Sequence, residues 1–146
     1  MDSSVIDKVL KRNCTIYRGI YASDELPDIT HSSLPMVIVA NTDPADRPGR
    51  HWICMYFDEE DHGEFFDSFG MPPQRTFERF MERNCSVWTF NDKQMQSAIS
   101  RFCGHYCVWY CMMKNRGIKL HLLTNAMTTD TGLNDFLVHR FTCKLI

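Results

Sequence analysis

Four side chains in this sequence are of the types that acyl transfer needs: His51, Asp67, Gln96 and Cys103. A cysteine attacks a carbonyl carbon as its thiolate, and an imidazole takes the thiol proton and later hands it to a leaving group. A carboxylate beyond the ring fixes the tautomer and stabilises the imidazolium, while a side-chain amide donates to the developing oxyanion. Cys103 opens the apolar run CGHYCVWYCMMKN, residues 103–115, which reads as a helix buried nearly all round and ended by Gly117. The positive end of that helix would lower the thiol's pKa, and Gly104 would let a substrate backbone approach. Gln96 stands seven residues before Cys103. Taken singly, each residue has a plainer account: a half-buried ion pair, a thiol packed as a small hydrophobe, a surface glutamine. Cys107 and Cys111, one and two turns further on, fit that account as core residues. A metal held by Cys103, Cys107, Cys111 and His105 is disfavoured, because that spacing strings thiols along one helix without a second ligand pair.

The elements that must position these residues follow from periodicity. HWICMYF (51–57) is almost wholly apolar, as a strand buried on both faces should be, and EFFDSFG (64–70) is its return strand after the turn DEEDHG. If Phe57 pairs with Asp61, then His51 lies opposite Asp67 on one face, with Cβ atoms about 4.5–5.5 Å apart. A one-residue slip would break that pairing. PMVIVAN (35–41) is a β-branched strand, and CSVWTFN (85–91) alternates like one. Ser3–Asn13 carries Val5, Ile6, Val9 and Leu10 on one face and is expected to be helical, capped by Asp2, Ser3 or Ser4. PQRTFERFMERN (73–84) follows two prolines and places Phe77, Phe80 and Met81 on one helical face. LHLLTNAM and GLNDFLVHRF close the chain as helices. Residues 15–35 read as irregular, and residues 93–102 are ambiguous. The expected fold is α+β: one domain, residues 1–146, with a small, largely antiparallel sheet packed against helices.

Composition sets limits. The chain has 146 residues, is 44% hydrophobic and 23% charged, and carries a formal net charge of −2, so it is expected to fold around a sizeable core and exerts no global pull on nucleic acid. Its longest apolar runs are too short to span a bilayer, and the N-terminus lacks a signal-peptide core, so a soluble intracellular protein is expected. Seven cysteines without a CxxC pair argue for free thiols rather than a disulfide framework.

The quartet and its surroundings resemble the adenovirus-protease (adenain) family, in the clan that also holds the SUMO proteases. The residues that carry the resemblance are GRHW at 49–52, FFDSFG at 65–70, and Gln96 seven positions before CGHYC at 103–107. IYASDELP at 20–27 and the tail with Asn134 and Asp135 also look like protease genes of adenovirus-like DNA transposons. The resemblance implies an adenain-like fold and a cysteine endopeptidase that processes capsid precursors at Gly-containing sites, in a virion or host nucleus if the source is viral. Cys103 would be the nucleophile, His51 the base, Asp67 its orienter, and Gln96 with the Cys103 N–H the oxyanion hole. Trp52 would shield or stack on the Cys–His pair, and Trp52 with His105 would wall a narrow substrate cleft.

In the adenovirus enzyme a capsid-derived activating peptide adds a strand and is fastened by a disulfide. By position, the resemblance carries that cysteine onto Cys85, eleven residues before Gln96. Departures are Asp67 in place of glutamate, a shorter chain, and a slightly acidic balance that argues against a DNA cofactor. Arg75, Arg79 and Arg83 share a helix face with Glu78 and Glu82, which reads as an ion-paired surface. No metal or other cofactor is expected. An isopeptidase for ubiquitin-like proteins and a catalytically silent binding module are the competing readings.

Overall fold

A computed structural model describes residues 1–146. The elements are α1 (Ser3–Asn13), β1 (Tyr17–Tyr21), a 3-10 turn (His31–Ser33), β2 (Met36–Asn41), β3 (Trp52–Phe57), β4 (His62–Phe66), α2 (Arg75–Asn84), β5 (Val87–Phe90), α3 (Cys103–Asn115), α4 (Leu120–Ala126) and α5 (Thr131–Cys143). The class is α+β, and five strands lie in one sheet in chain order. The sheet is mixed. β2, β3 and β4 form an antiparallel meander, while β1 and β5 run parallel to their neighbours. β5 is parallel because α2 carries the chain back across the sheet before it begins, as a parallel crossover requires.

The apolar strands have two buried faces, as their sequences predict. Val37, Val39, Cys54 and Phe66 pack on α3 together with α1 residues Ile6, Val9 and Leu10. The alternate residues Met36, Ile38, Ile53, Met55, Phe57 and Phe65 pack on Phe77, Phe80 and Met81 of α2. α3 is thus the central helix, with Tyr106 to Cys111 all buried. Phe66 stacks flat on Tyr110 at 4.5 Å between ring centroids. The thiols of Cys14, Cys54, Cys107 and Cys111 sit in this core, and all seven cysteines are free. No helix is long and apolar enough to cross a membrane.

Two expectations are corrected. Residues 15–35 are not wholly irregular. Tyr17–Tyr21 forms β1, whose register with β2 shifts between Tyr17 and Ile20. The shift falls at Gly19, φ +119°, and a bulged edge strand lacks the clean alternation that periodicity detects. The β3–β4 register also differs. Cys54 pairs with Phe66 and Phe57 with Gly63, so the partner of Phe57 lies two residues beyond the expected Asp61. Asp58 fixes this turn: its Oδ1 accepts from the N–H groups of Glu60 and His62. Asp61 then closes the turn at φ +65°, the left-handed region that Asp tolerates. A shift of two keeps every side chain on its expected face.

Because Phe66 is fully buried between the sheet and α3, Phe66→Ala should cost about 3–5 kcal/mol of stability. Urea unfolding of the variant beside the parent checks this.

Candidate active site

His51 lies one residue before β3 and Asp67 one residue after β4, so the ends of two adjacent antiparallel strands bring them together. Asp67 Oδ1 is 2.7 Å from His51 Nε2. Asp67 does not sit directly across from His51, as the shorter register would require; the two-residue shift makes the contact diagonal. Nε2 is thereby committed to the carboxylate, which leaves Nδ1 as the nitrogen that can serve a thiol.

Asp67 is itself held. Its Oδ1 also accepts from Phe69 N–H at 2.8 Å. Asn91, just past β5, accepts from the Asp67 N–H and donates to the Asp67 carbonyl, so a side chain stands in for a strand pairing. Gly70 completes the turn by donating to Asp67 O. Glycine is required there on two counts: φ is +71°, and a Cβ would lie 2.6 Å from the Lys93 carbonyl carbon.

Cys103 is the first residue of α3. The helix has no side-chain N-cap and no acid in its first turn, so its first N–H groups are left for other partners. Burial pushes the Cys103 thiol up. The hydrogen bond from His51 and the N–H groups of Trp52 and Gly104 outweigh that, and the thiol ends below its ordinary value. Burial lowers the His51 pKa, but hydrogen bonds to Asp67 and Cys103 overcome this and lift it to about 9. Both shifts favour the thiolate–imidazolium pair over the neutral thiol and imidazole. Gly104 serves differently from expectation. A Cβ there would lie 3.1 Å from Ile6 Cδ1 and 3.2 Å from Met1 Cβ, so its missing side chain admits α1 rather than a substrate backbone.

Gln96 lies in the segment between β5 and α3 and is buried. Its Oε1 accepts from Ser68 Oγ at 2.6 Å and its Nε2 donates to Ser100 O at 3.1 Å. Ser68 O accepts from both Met95 N and Gln96 N. From the opposite side α5 holds the same segment. Asn134 Nδ2 donates to Met95 O, and Asp135 Oδ1 accepts from Ser97 N and from the Tyr106 hydroxyl. The segment has no regular structure, yet side chains at both flanks secure its backbone.

Other expected residues fall elsewhere. Trp52 does not stack on His51; Phe69 does, at 4.8 Å between centroids. Trp52 supplies its backbone N–H to the Cys103 sulfur and lines a recess of about 300 Å³ with Gly49, Asn41 and Tyr21. His105 packs between Phe102 and His139, against α5. Cys85 is buried at the end of α2, donates to Met81 O, and has its thiol pushed up to about 11, first by burial and then by Asp61 and Asp58. At 8% exposure the thiol presents little surface to a disulfide partner. Glu64 is bound by Tyr110, Lys114 and the Leu120 N–H, and so cannot replace Asp67. No group of three or more His, Cys, Asp or Glu could hold a metal ion.

Sequence reasoning missed Phe69, Asn91 and Ser68 as parts of the site. Ser68 and Phe69 lie inside the FFDSFG run that identified Asp67, so their signal was adjacency. Asn91 had none until β5 was known to pair with β4. The thiol chemistry predicts strong selectivity. Iodoacetamide at neutral pH should label Cys103 ahead of the exposed Cys143, and should label Cys14, Cys54, Cys85 and Cys107, all raised by burial, far more slowly. The rate at Cys103 should hold through neutral pH until His51 loses its proton near pH 9. Peptide mapping by mass spectrometry across pH checks both points.

No family model matches the chain, and no curated protein matches it by sequence. Solved structures do. The ASFV pS273R protease matches 94% of this chain and 66% of its own, at TM-score 0.69 and 18% identity. Its Se-Met form matches 70% and 43%, at TM-score 0.52 and 24% identity. ChlaDub1 from Chlamydia trachomatis matches 76% and 58%, at TM-score 0.54 and 14% identity. The chain thus spans less than two thirds of the length of these proteins. At such identities the likeness is one of fold: this chain has the α+β fold of the ASFV pS273R protease and of ChlaDub1.

Proposed function

We propose that the chain is a cysteine endopeptidase acting at Gly-containing bonds of capsid precursor polypeptides. The observation that carries the reading is the placement of His51 between Asp67 and a Cys103 thiol held below its ordinary pKa. That a protease shares the fold over 94% of this chain supports it. The capsid substrate rests on the adenain resemblance of the motif quartet alone.

The thiolate of Cys103 attacks the scissile carbonyl, and a C–S bond forms as the carbonyl π pair moves to oxygen. Gln96 Nε2 and the Cys103 N–H donate to that oxyanion. As the C–N bond breaks, His51 gives its proton to the departing amine, leaving a thioester. A water then loses a proton to His51 and attacks the thioester, which releases the acid and restores the thiolate–imidazolium pair. Asp67 keeps the ring oriented throughout. The chemistry calls on no metal, and the burial of Cys85 counts against a disulfide-linked activator. Recognition of glycine is a matter of space. Trp52, the residue after His51, lines a recess of about 300 Å³ with Gly49 and Tyr21, and a substrate with small residues at the bond would leave room for that wall.

Cleavage of a fluorogenic Leu-Xaa-Gly-Gly peptide tests the reading, with ubiquitin and SUMO fluorogenic substrates as the contrasting arm. Cys103→Ser should abolish cleavage with the fold intact, and His51→Ala should lose nearly all of it. Asp67→Asn should fall by about 10²–10⁴-fold, as triad acids do. Activity surviving in Cys103→Ser would end the assignment. A strong preference for the ubiquitin-like substrates would transfer it to an isopeptidase.

A further inference from the structure

We propose that Ser68 is a positioning residue for the oxyanion donor: its hydroxyl holds the Gln96 amide so that the amino group, not the carbonyl, keeps one proton to meet the substrate oxygen. The catalytic consequence rests on the protease reading above; the orientation itself rests only on the hydrogen bonds.

A glutamine amide has two ends of almost equal size and opposite character. Turned by half a rotation, Gln96 would present a carbonyl oxygen to an oxyanion and repel it. Two neighbours decide the orientation. Ser100 O can only accept, so it takes Nε2, at 3.1 Å. Oε1 then faces Ser68, whose hydroxyl donates at 2.6 Å. The residue is almost fully enclosed, at 1% exposure for both Ser68 and Gln96. Without the hydroxyl, Oε1 would be buried with no donor, which favours other amide positions. The distance is preset, because Ser68 O also accepts from the N–H groups of Met95 and Gln96. Nε2 carries two protons; Ser100 takes one, and the second is the one available to an oxyanion. Ser68 directly follows Asp67, so one dipeptide at the end of β4 positions both the base and the oxyanion donor.

The orientation can be read without substrate. In ¹⁵N-labelled protein, the Gln96 side-chain amide is the NH₂ pair missing from the Gln96→Ala spectrum. In the parent it should be a single pair that exchanges slowly with water. In Ser68→Ala it should exchange at least about 10-fold faster or split into two pairs, with Ser68→Cys, a weaker donor, in between. Backbone amides elsewhere should stay in place, which shows the fold is kept. An unchanged Gln96 pair in Ser68→Ala overturns the proposal. With the Gly-Gly peptide, Ser68→Ala should lower kcat by about 10-fold, less than the loss of the whole donor. It should cause no further loss in the Gln96→Ala background and leave the pH profile of Cys103 alkylation unmoved. Equal losses in both backgrounds, or a shifted alkylation profile, would show that Ser68 acts through Asp67 and would also overturn it. A parent chain that cleaves nothing counts against the protease reading; the amide spectrum then still decides the role of Ser68.

Discussion

Everything in this site depends on keeping two charges that burial opposes. Removing water from a thiolate raises its pKa, and removing water from an imidazolium lowers its own. Here both groups are largely enclosed, yet both shift the other way. The rise of His51 to about 9 corresponds to roughly 3 kcal/mol in favour of its charged form. That exceeds the ~0–1 kcal/mol of an exposed ion pair. The excess comes from convergence: Asp67 on one ring nitrogen, the thiolate on the other, and backbone N–H groups of Trp52 and Gly104 on the sulfur.

The fold exists to bring three chain ends to that point. β3 begins there, β4 ends there, and α3 starts there, and each is fixed by a different part of the core. The strands are gripped from both faces, so their ends cannot slide. α3 is buried along its length against β2 and β3, with α1 close enough to touch Gly104. The irregular chain before α3 lacks such support of its own. It borrows it from Ser68 on one side and from Asn134, Asp135 and Tyr106 on the other. Buried polar groups with this degree of satisfaction resist displacement, because breaking any one orphans its partner.

The candidate residues were legible because their chemistry is rare and their spacing specific. α1, α2 and α3 were legible because each carries one strong pattern: an apolar stripe, prolines before a stripe, or an apolar cylinder. What could not be read depends on partners distant in sequence. The parallel direction of β5 follows from where α2 packs, and no local pattern in Val87–Phe90 encodes it. The β3–β4 hairpin was expected to close with Phe57 opposite Asp61, two residues short of its actual partner Gly63, because the Asp58 side chain, not the apolar pattern, sets where the hairpin closes. Phe69 rather than Trp52 covers the imidazole, since Trp52 turns toward the α1–α3 core once β3 begins. His105, two residues beyond Cys103, points to α5 because a helix turns its successive residues to different faces.

The central claim is a thiolate at Cys103 sustained by His51, and ultraviolet absorbance near 240 nm measures thiolate directly. The difference between the parent and Cys103→Ser, followed as pH rises from acid, should show one thiolate already formed at neutral pH, and that signal should vanish at neutral pH in His51→Ala. A parent whose Cys103 thiolate appears only above pH 9, the ordinary value for a free thiol, would contradict the account.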